Sequence, residues 1–195
     1  LLYHVERMNE ESANALLKVM EEPPEGVLFL LTADSLASVL PTIRSRCVSF
    51  AVAPVSPADC TRYCAAQGVD KKTAALYSEL FDGHIGTVLA VARDEARAAQ
   101  VEKALELARA AAARDSYTAA VLLAAYEKDK ATASALLTDF RAVAAAGLRS
   151  SPRAPVQGTQ ARQAVRLADA ALQRLGAQVN PKVVLTVFAA KLRTV

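Results

Sequence analysis

Two adjacent prolines, Pro23 and Pro24, dictate how the first fifty residues of this chain can fold. A proline drives the residue before it out of the helical region and has no N–H to give a helix. Any helix upstream must therefore stop at Glu22. Such a helix is written into the sequence: Ala13, Leu16, Leu17 and Met20 fall at i, i+3, i+4 and i+7, one apolar face. Asn9 is placed to cap it, with Glu10 and Glu11 at the positive end of its dipole. Immediately after the prolines comes "GVLFLLTA", an apolar run bounded by Gly26 and Asp34. It is too short for most helices and predicts a strand buried on both faces, as in a parallel sheet. "CVSFAV" predicts a second short strand. Residues 1–53 thus read as part of an α/β sheet whose remaining strands are expected upstream or in a partner.

The rest of the chain predicts helices. "PVSPADC" is a linker ending in a cap, with Ser56 at the N-cap and Pro57 at the first helical position. Cys60, Tyr63 and Cys64 share one face of the helix that follows. A second helix starts at Asp70, turns Leu76, Tyr77 and Leu80 inward and closes at "DGH"; a third begins near Ile85. Beyond residue 96 the chain is rich in alanine, with Ser116 opening a fresh helix. "GLRSSPRAPVQGTQ" (147–160) is the clearest loop. A helix of roughly four turns then runs to Gly176. Asn180 and Pro181 open a last one, with Val184, Leu185, Phe188 and Leu192 as its stripe. The expected fold class is mainly α with a partial α/β portion. Three domains are expected: 1–53 in the α/β part, 56–95 a small helical domain, and 96–195 a helical bundle.

Composition excludes several functions. No apolar run approaches the roughly 18 to 20 residues that span a bilayer, and "LLYHVERMNEESAN" lacks the apolar core of a secretory signal. The chain does not begin with Met, so it is expected to start inside a longer product. Three cysteines, Cys47, Cys60 and Cys64, cannot all pair within one chain and point to a reducing cytoplasm. Cys60 and Cys64 have the wrong spacing for most zinc sites, and His4 and His84 are distant in sequence, so core cysteines are expected and no metal. No catalytic triad or HExxH pattern is present, and none of the seven glycines belongs to a phosphate-binding P-loop. A net charge of +3 does not by itself argue for nucleic acid. Arg162, Arg166, Arg174, Lys182, Lys191 and Arg193 read as a solvated helix face, since no aromatics interleave for base stacking.

"PTIRSRCVSF" stands apart. Arg44 and Arg46 occupy a short polar segment between two expected strands, at the kind of sheet edge where α/β proteins place functional groups. A guanidinium held there has a fork matched to phosphate on a neighbouring molecule.

"NALLKVMEEPP" (14–24) and "LPTIRSRC" (40–47) together resemble the AAA+ region of bacterial DNA polymerase III clamp-loader subunits. The family pattern reads N-A-L-L-K-x-L-E-E-P-P, an apolar sensor strand, then L-P-T-I-x-S-R-C. "FDGHIGTVLAVA" and "NPKVVLTVFAAKL" resemble the family's lid and collar domains more loosely. The resemblance implies an AAA+ core remnant at 1–53, a lid at 56–95 and an oligomerising collar at 96–195.

Within that family, the active ATPase carries an apolar-D-E-A-x-x-M motif that aligns with "LYHVERM". Its metal-holding Asp falls on Tyr3 and its catalytic Glu on His4. Neither replaces a carboxylate in holding Mg²⁺ or polarising water. The sensor-1 position falls on Ala33, with Thr32 one place early, and the sensor-2 stretch offers Thr87 and Val88 instead of an Arg. The departures point to a delta-prime-like subunit, and by the resemblance Arg46 is an arginine finger acting in trans. Ser45 and Cys47 would position its loop. ATP and Mg²⁺ would belong to a neighbouring subunit, with no cofactor on this chain and no activity expected of it alone. Implied partners are the gamma/tau and delta subunits of a heteropentamer, and through them the sliding clamp and primed DNA, in the cytoplasm and away from membranes. A zinc module and a degenerate P-loop would precede residue 1. The competing readings are a truncated gamma/tau-type ATPase and a plain interaction module of the same fold.

Overall fold

A computed structural model describes residues 1–53 and 55–194. They divide into two compact units, Leu1–Ala53 and Pro54–Val195. Pro54, the first residue of the expected linker, and the terminal Val195 lie outside the described residues.

The first unit contains a 3₁₀ turn at Val5–Arg7, helix α1 at Glu10–Glu21, a second 3₁₀ turn at Leu36–Ser38 and the one-turn helix α2 at Pro41–Arg44. Asn9 caps α1 as its position suggests, its Oδ1 accepting from the Ser12 N–H at 2.8 Å. The helix ends at Glu21, and Glu22, forced out of the helical region by Pro23, has φ −129°. Ala13 of α1 meets Val5, Val39 and Ile43 in a small core, with Leu16, Leu17, Met20, Leu31 and Cys47 packed against it.

The two expected strands are not formed. Among the described residues, β pairing amounts to one isolated parallel bridge, Leu2 to Leu31. Around it the Leu2 N–H donates to the Leu30 carbonyl at 2.8 Å, the Thr32 N–H to Leu2 at 2.9 Å, and the Val5 N–H to Thr32 at 3.0 Å. The direction is parallel, but "GVLFLLTA" has a neighbour on one side only, and a strand needs a ladder to hold it. "CVSFAV" has no ladder at all: Phe50 is 85% exposed and Val52 94%. The apolar pattern was written for burial on both faces, which this unit does not supply.

The second unit is helical throughout: α3 Pro57–Ala66, α4 Lys71–Leu80, α5 Ile85–Arg93, α6 Glu95–Ala112, α7 Ser116–Ala124, α8 Lys130–Leu148, α9 Gly158–Gly176 and α10 Pro181–Leu192. Side-chain caps fix most of the starts. Ser56 Oγ accepts from the Asp59 N–H at 3.1 Å. Asp70, Asp94, Asp115 and Asp129 each take two N–H groups of the turn that follows. The true cap before Ser116 is therefore Asp115. A single core runs from Cys60 to Leu192, with Phe140 of α8 meeting Phe188 of α10 edge-on at 5.4 Å between ring centroids. Val184, Leu185, Phe188 and Leu192 are buried as their stripe predicts, and Cys60 and Cys64 are fully inside. Tyr63, assigned to the same face, is half exposed instead.

One boundary moves for a packing reason. The expected loop at 147–160 is shorter, because α8 runs to Leu148 and α9 starts at Gly158. Gly147 looked like a loop residue but is helical. A Cβ there would come within 1.9 Å of the Val156 carbonyl oxygen, so the missing side chain lets the returning chain lie against α8. Nearby, Asp139 of α8 is almost wholly buried and is paired with Arg97 of α6, Nη2 to Oδ1 at 2.5 Å, and with Gln100 at 2.9 Å. A buried carboxylate requires that company.

Candidate functional site

Arg46 sits on the turn that ends α2. Pro41 opens α2 at its first position, and the buried Ile43 anchors the turn to the core of the first unit. The turn is closed by the Arg46 N–H donating to the Ile43 carbonyl at 3.1 Å, and the Ser45 hydroxyl donates to the Thr42 carbonyl at 3.0 Å. Cys47 is half-buried against the same core, its N–H donating to Arg44 at 3.3 Å. Arg44 itself is exposed at the end of α2.

The Arg46 side chain leans onto α1. Its Nε donates to Glu21 Oε1 at 2.8 Å, and Nη2 pairs with the same oxygen. Nη1 donates to the Thr42 carbonyl at 3.1 Å and faces Ser45 Oγ at 3.4 Å. The Arg46 side chain is 37% exposed. Glu21 was not singled out from sequence, although it is the first Glu of "EEPP" and so lay in plain view. What hid its role is that α1 and α2 meet only in three dimensions.

A second cluster lies at the start of the chain. Tyr3 is mostly exposed. His4 adopts left-handed backbone, φ 55°, and its N–H donates to Thr32 Oγ1 at 3.3 Å. Its ring Nδ1 lies 3.1 Å from Glu6 Oε1 and 3.8 Å from Asp34 Oδ1. Burial pushes the Glu6 carboxyl up, but its own backbone N–H and the His4 ring outweigh that and hold it below the usual carboxylate range. Glu6 Oε2 is buried with no hydrogen-bond partner. One ligand atom from each of His4, Glu6 and Asp34 lies within 4.8 Å of the others, a grouping able to hold a cation. Neither Glu6 nor Asp34 was picked out from sequence; Asp34 adjoins Ala33, which is itself exposed.

The other singled-out groups are not gathered at either place. Thr87 is exposed and Val88 buried within α5. Arg162, Arg166, Arg174, Lys182, Lys191 and Arg193 are all exposed on α9, α10 and the chain end, a solvated face. Among the described residues, no helix is long and apolar enough to cross a membrane.

The family model described as "DNA polymerase III, delta subunit" matches residues 1–56. The chain is 45% identical over 62 residues to DNA polymerase III subunit delta' of Yersinia pestis, which covers 32% of this chain and 18% of the relative. It is 62% identical over 42 residues to the delta' subunit of Haemophilus influenzae, covering 22% and 13% respectively. It is 46% identical over 50 residues to DNA polymerase III subunit tau of Escherichia coli K12, covering 26% and 8%. The chain thus spans less than a fifth of the length of these curated relatives. The family-model match, residues 1–56, takes in Arg46, Glu21 and the His4 cluster.

Proposed function

We propose that this chain is a delta-prime-like, non-catalytic subunit of a DNA polymerase III clamp loader. What supports the reading is an arginine on an anchored, partly exposed turn, together with the resemblance, which aligns Tyr3 and His4 with the two carboxylates of the active ATPase. The chain has the group that completes another molecule's phosphate site and lacks the groups that would complete its own. Arg46 is the finger. Delivered in trans, it neutralises charge developing on the γ-phosphate of ATP held with Mg²⁺ by a gamma/tau subunit. Ser45, which donates to Thr42, and Cys47, seated on the core, keep the turn in place.

On this reading residues 1–53 are the end of an AAA+ core, 56–95 the lid and 96–195 the collar. The collar joins a heteropentamer with gamma/tau and delta subunits that opens the sliding clamp at primed DNA in the cytoplasm. The similarity to a tau subunit favours one rival, a gamma/tau-type ATPase. Tyr3 and His4 count against it, because neither replaces a Mg²⁺-binding carboxylate.

The test is Arg46→Ala in a reconstituted complex with the gamma/tau and delta subunits. Assembly is expected to persist while clamp-loading ATPase falls. Normal ATPase in that variant would overturn the finger assignment. Failure of the unsubstituted chain to assemble at all would favour a plain interaction module.

A further inference from the structure

We propose that Glu21 is a latch on Arg46, holding the guanidinium against its own subunit until a nucleotide phosphate on the neighbour displaces it. The inference rests on the arginine-finger reading and adds what controls the finger.

A guanidinium carries five N–H groups in a fixed fork. Nε–H and one Nη2–H are engaged by Glu21 Oε1. Nη1 is turned to the Thr42 carbonyl at 3.1 Å and to Ser45 Oγ at 3.4 Å. One Nη2–H is left. Two-pronged recognition of a phosphate needs two N–H groups on one edge of the fork. The Nε–Nη2 edge is closed while Glu21 is in place, and the Nη1–Nη2 edge opens only as far as Thr42 and Ser45 release Nη1.

Charge leads to the same end. The Glu21 carboxylate neutralises the very charge that a finger must bring to phosphate, so a latched Arg46 is blunted as well as occupied. Release is a modest step. Glu21 is 51% exposed and water competes for both partners. An exposed pair of this kind shifts an equilibrium by up to about fivefold. A nucleotide phosphate, an acceptor of the same kind with more charge, is suited to take its place.

Local structure explains why this glutamate holds the post. Glu21 is the last residue of α1, whose end is fixed by Pro23 and Pro24. Arg46 is placed by α2, which packs on α1 through Ala13 and Ile43. The two most recognisable sequence blocks of the chain meet at this one ion pair.

Two measurements test the latch. In the chain alone, the Arg46 Nε–H resonance, assigned by its loss in Arg46→Ala, is expected apart from those of the exposed arginines and to join them in Glu21→Gln. In the reconstituted complex with clamp and primed DNA, Glu21→Ala and Glu21→Gln are expected to raise ATPase by up to about fivefold. The double variant Glu21→Ala/Arg46→Ala should match Arg46→Ala. The near-isosteric Gln variant guards against a folding defect. If Arg46→Ala abolishes stimulation while both Glu21 variants leave the rate unchanged or lower it, the latch is overturned and the finger stands. If Arg46→Ala changes nothing, the finger reading falls and the latch with it.

Discussion

Arg46 and Glu21, 25 residues apart in sequence, share an ion pair in which two guanidinium nitrogens converge on one carboxylate oxygen. The same guanidinium also reaches back to the Thr42 carbonyl that its own turn presents. This geometry depends on a planar fork, and a lysine ammonium is a point charge on a flexible stem. Arg46→Lys is therefore expected to keep the charge and lose the function. If Arg46 acts as the proposed finger, the ATP site it completes in the assembled complex should lose on the order of 10³ in hydrolysis rate, close to the loss from Arg46→Ala. Single-turnover ATPase measures it; near-normal rates for the Lys variant would show that charge alone suffices.

The buried pair of Arg97 and Asp139 makes an asymmetric prediction. Asp139 is almost wholly inside, whereas about a third of the Arg97 side chain is exposed. Removing Arg97 strands a carboxylate with only Gln100 beside it, while removing Asp139 leaves a guanidinium that can still reach water. Arg97→Ala is expected to cost about 3–5 kcal/mol, the range for breaking a buried pair. Asp139→Asn, which keeps an acceptor for Gln100, should cost clearly less. Urea unfolding of both variants decides it, and equal losses would refute the asymmetry.

How far the sequence could be read follows from the range of each interaction. Caps and stops are local, so Asn9, Ser56, Asp70 and Asn180 were legible, as was the end of α1 before Pro23. Asp94, Asp115 and Asp129 cap by the same local chemistry, each one residue before its helix. The strands failed for the opposite reason: an apolar run records the burial a segment is suited to, and a strand also needs ladder partners, which residues 1–53 supply only at the Leu2–Leu31 bridge. Arg46 stood out because it lies in a short polar segment between two apolar runs. Glu21 and Asp34 did not, since only the packing of α1 on α2, and the bridge between Leu2 and Leu31, bring them to Arg46 and His4.

Gly147 and Gly86 separate packing from backbone freedom. At Gly147 an added methyl meets the Val156 carbonyl, whereas at Gly86, within α5, nothing lies within 4 Å. Gly147→Ala must push the returning chain off α8 and is expected to destabilise by about 1–3 kcal/mol or more. Gly86→Ala removes backbone freedom from the unfolded chain and should stabilise by about 0.5–1 kcal/mol. Thermal melts of the two variants should move in opposite directions. Stabilisation of both would mean that the close approach at Gly147 is not what places a glycine there, and destabilisation of both would mean that Gly86 has a role beyond backbone freedom.

Alkaline pH should loosen the second unit through Cys64. Burial, and then the neighbouring Cys60, push its thiol up from an ordinary value of 9.0 to about 11. Between those values the unfolded chain gives up this proton and the folded chain keeps it, so unfolding releases a proton. Stability must therefore fall as pH rises from about 9 to about 11, and be unaffected by this group below that window. Tyr77, raised by burial and by Glu102, acts in the same direction. Cys64→Ala is expected to lower stability at pH 8, where a small cavity is its only effect. The loss of stability from pH 8 to pH 10.5 should be smaller in this variant than in the parent chain. Urea midpoints at the two pH values measure the difference in slope. Parallel slopes would mean that the thiol ionises no later in the folded chain than in the unfolded one.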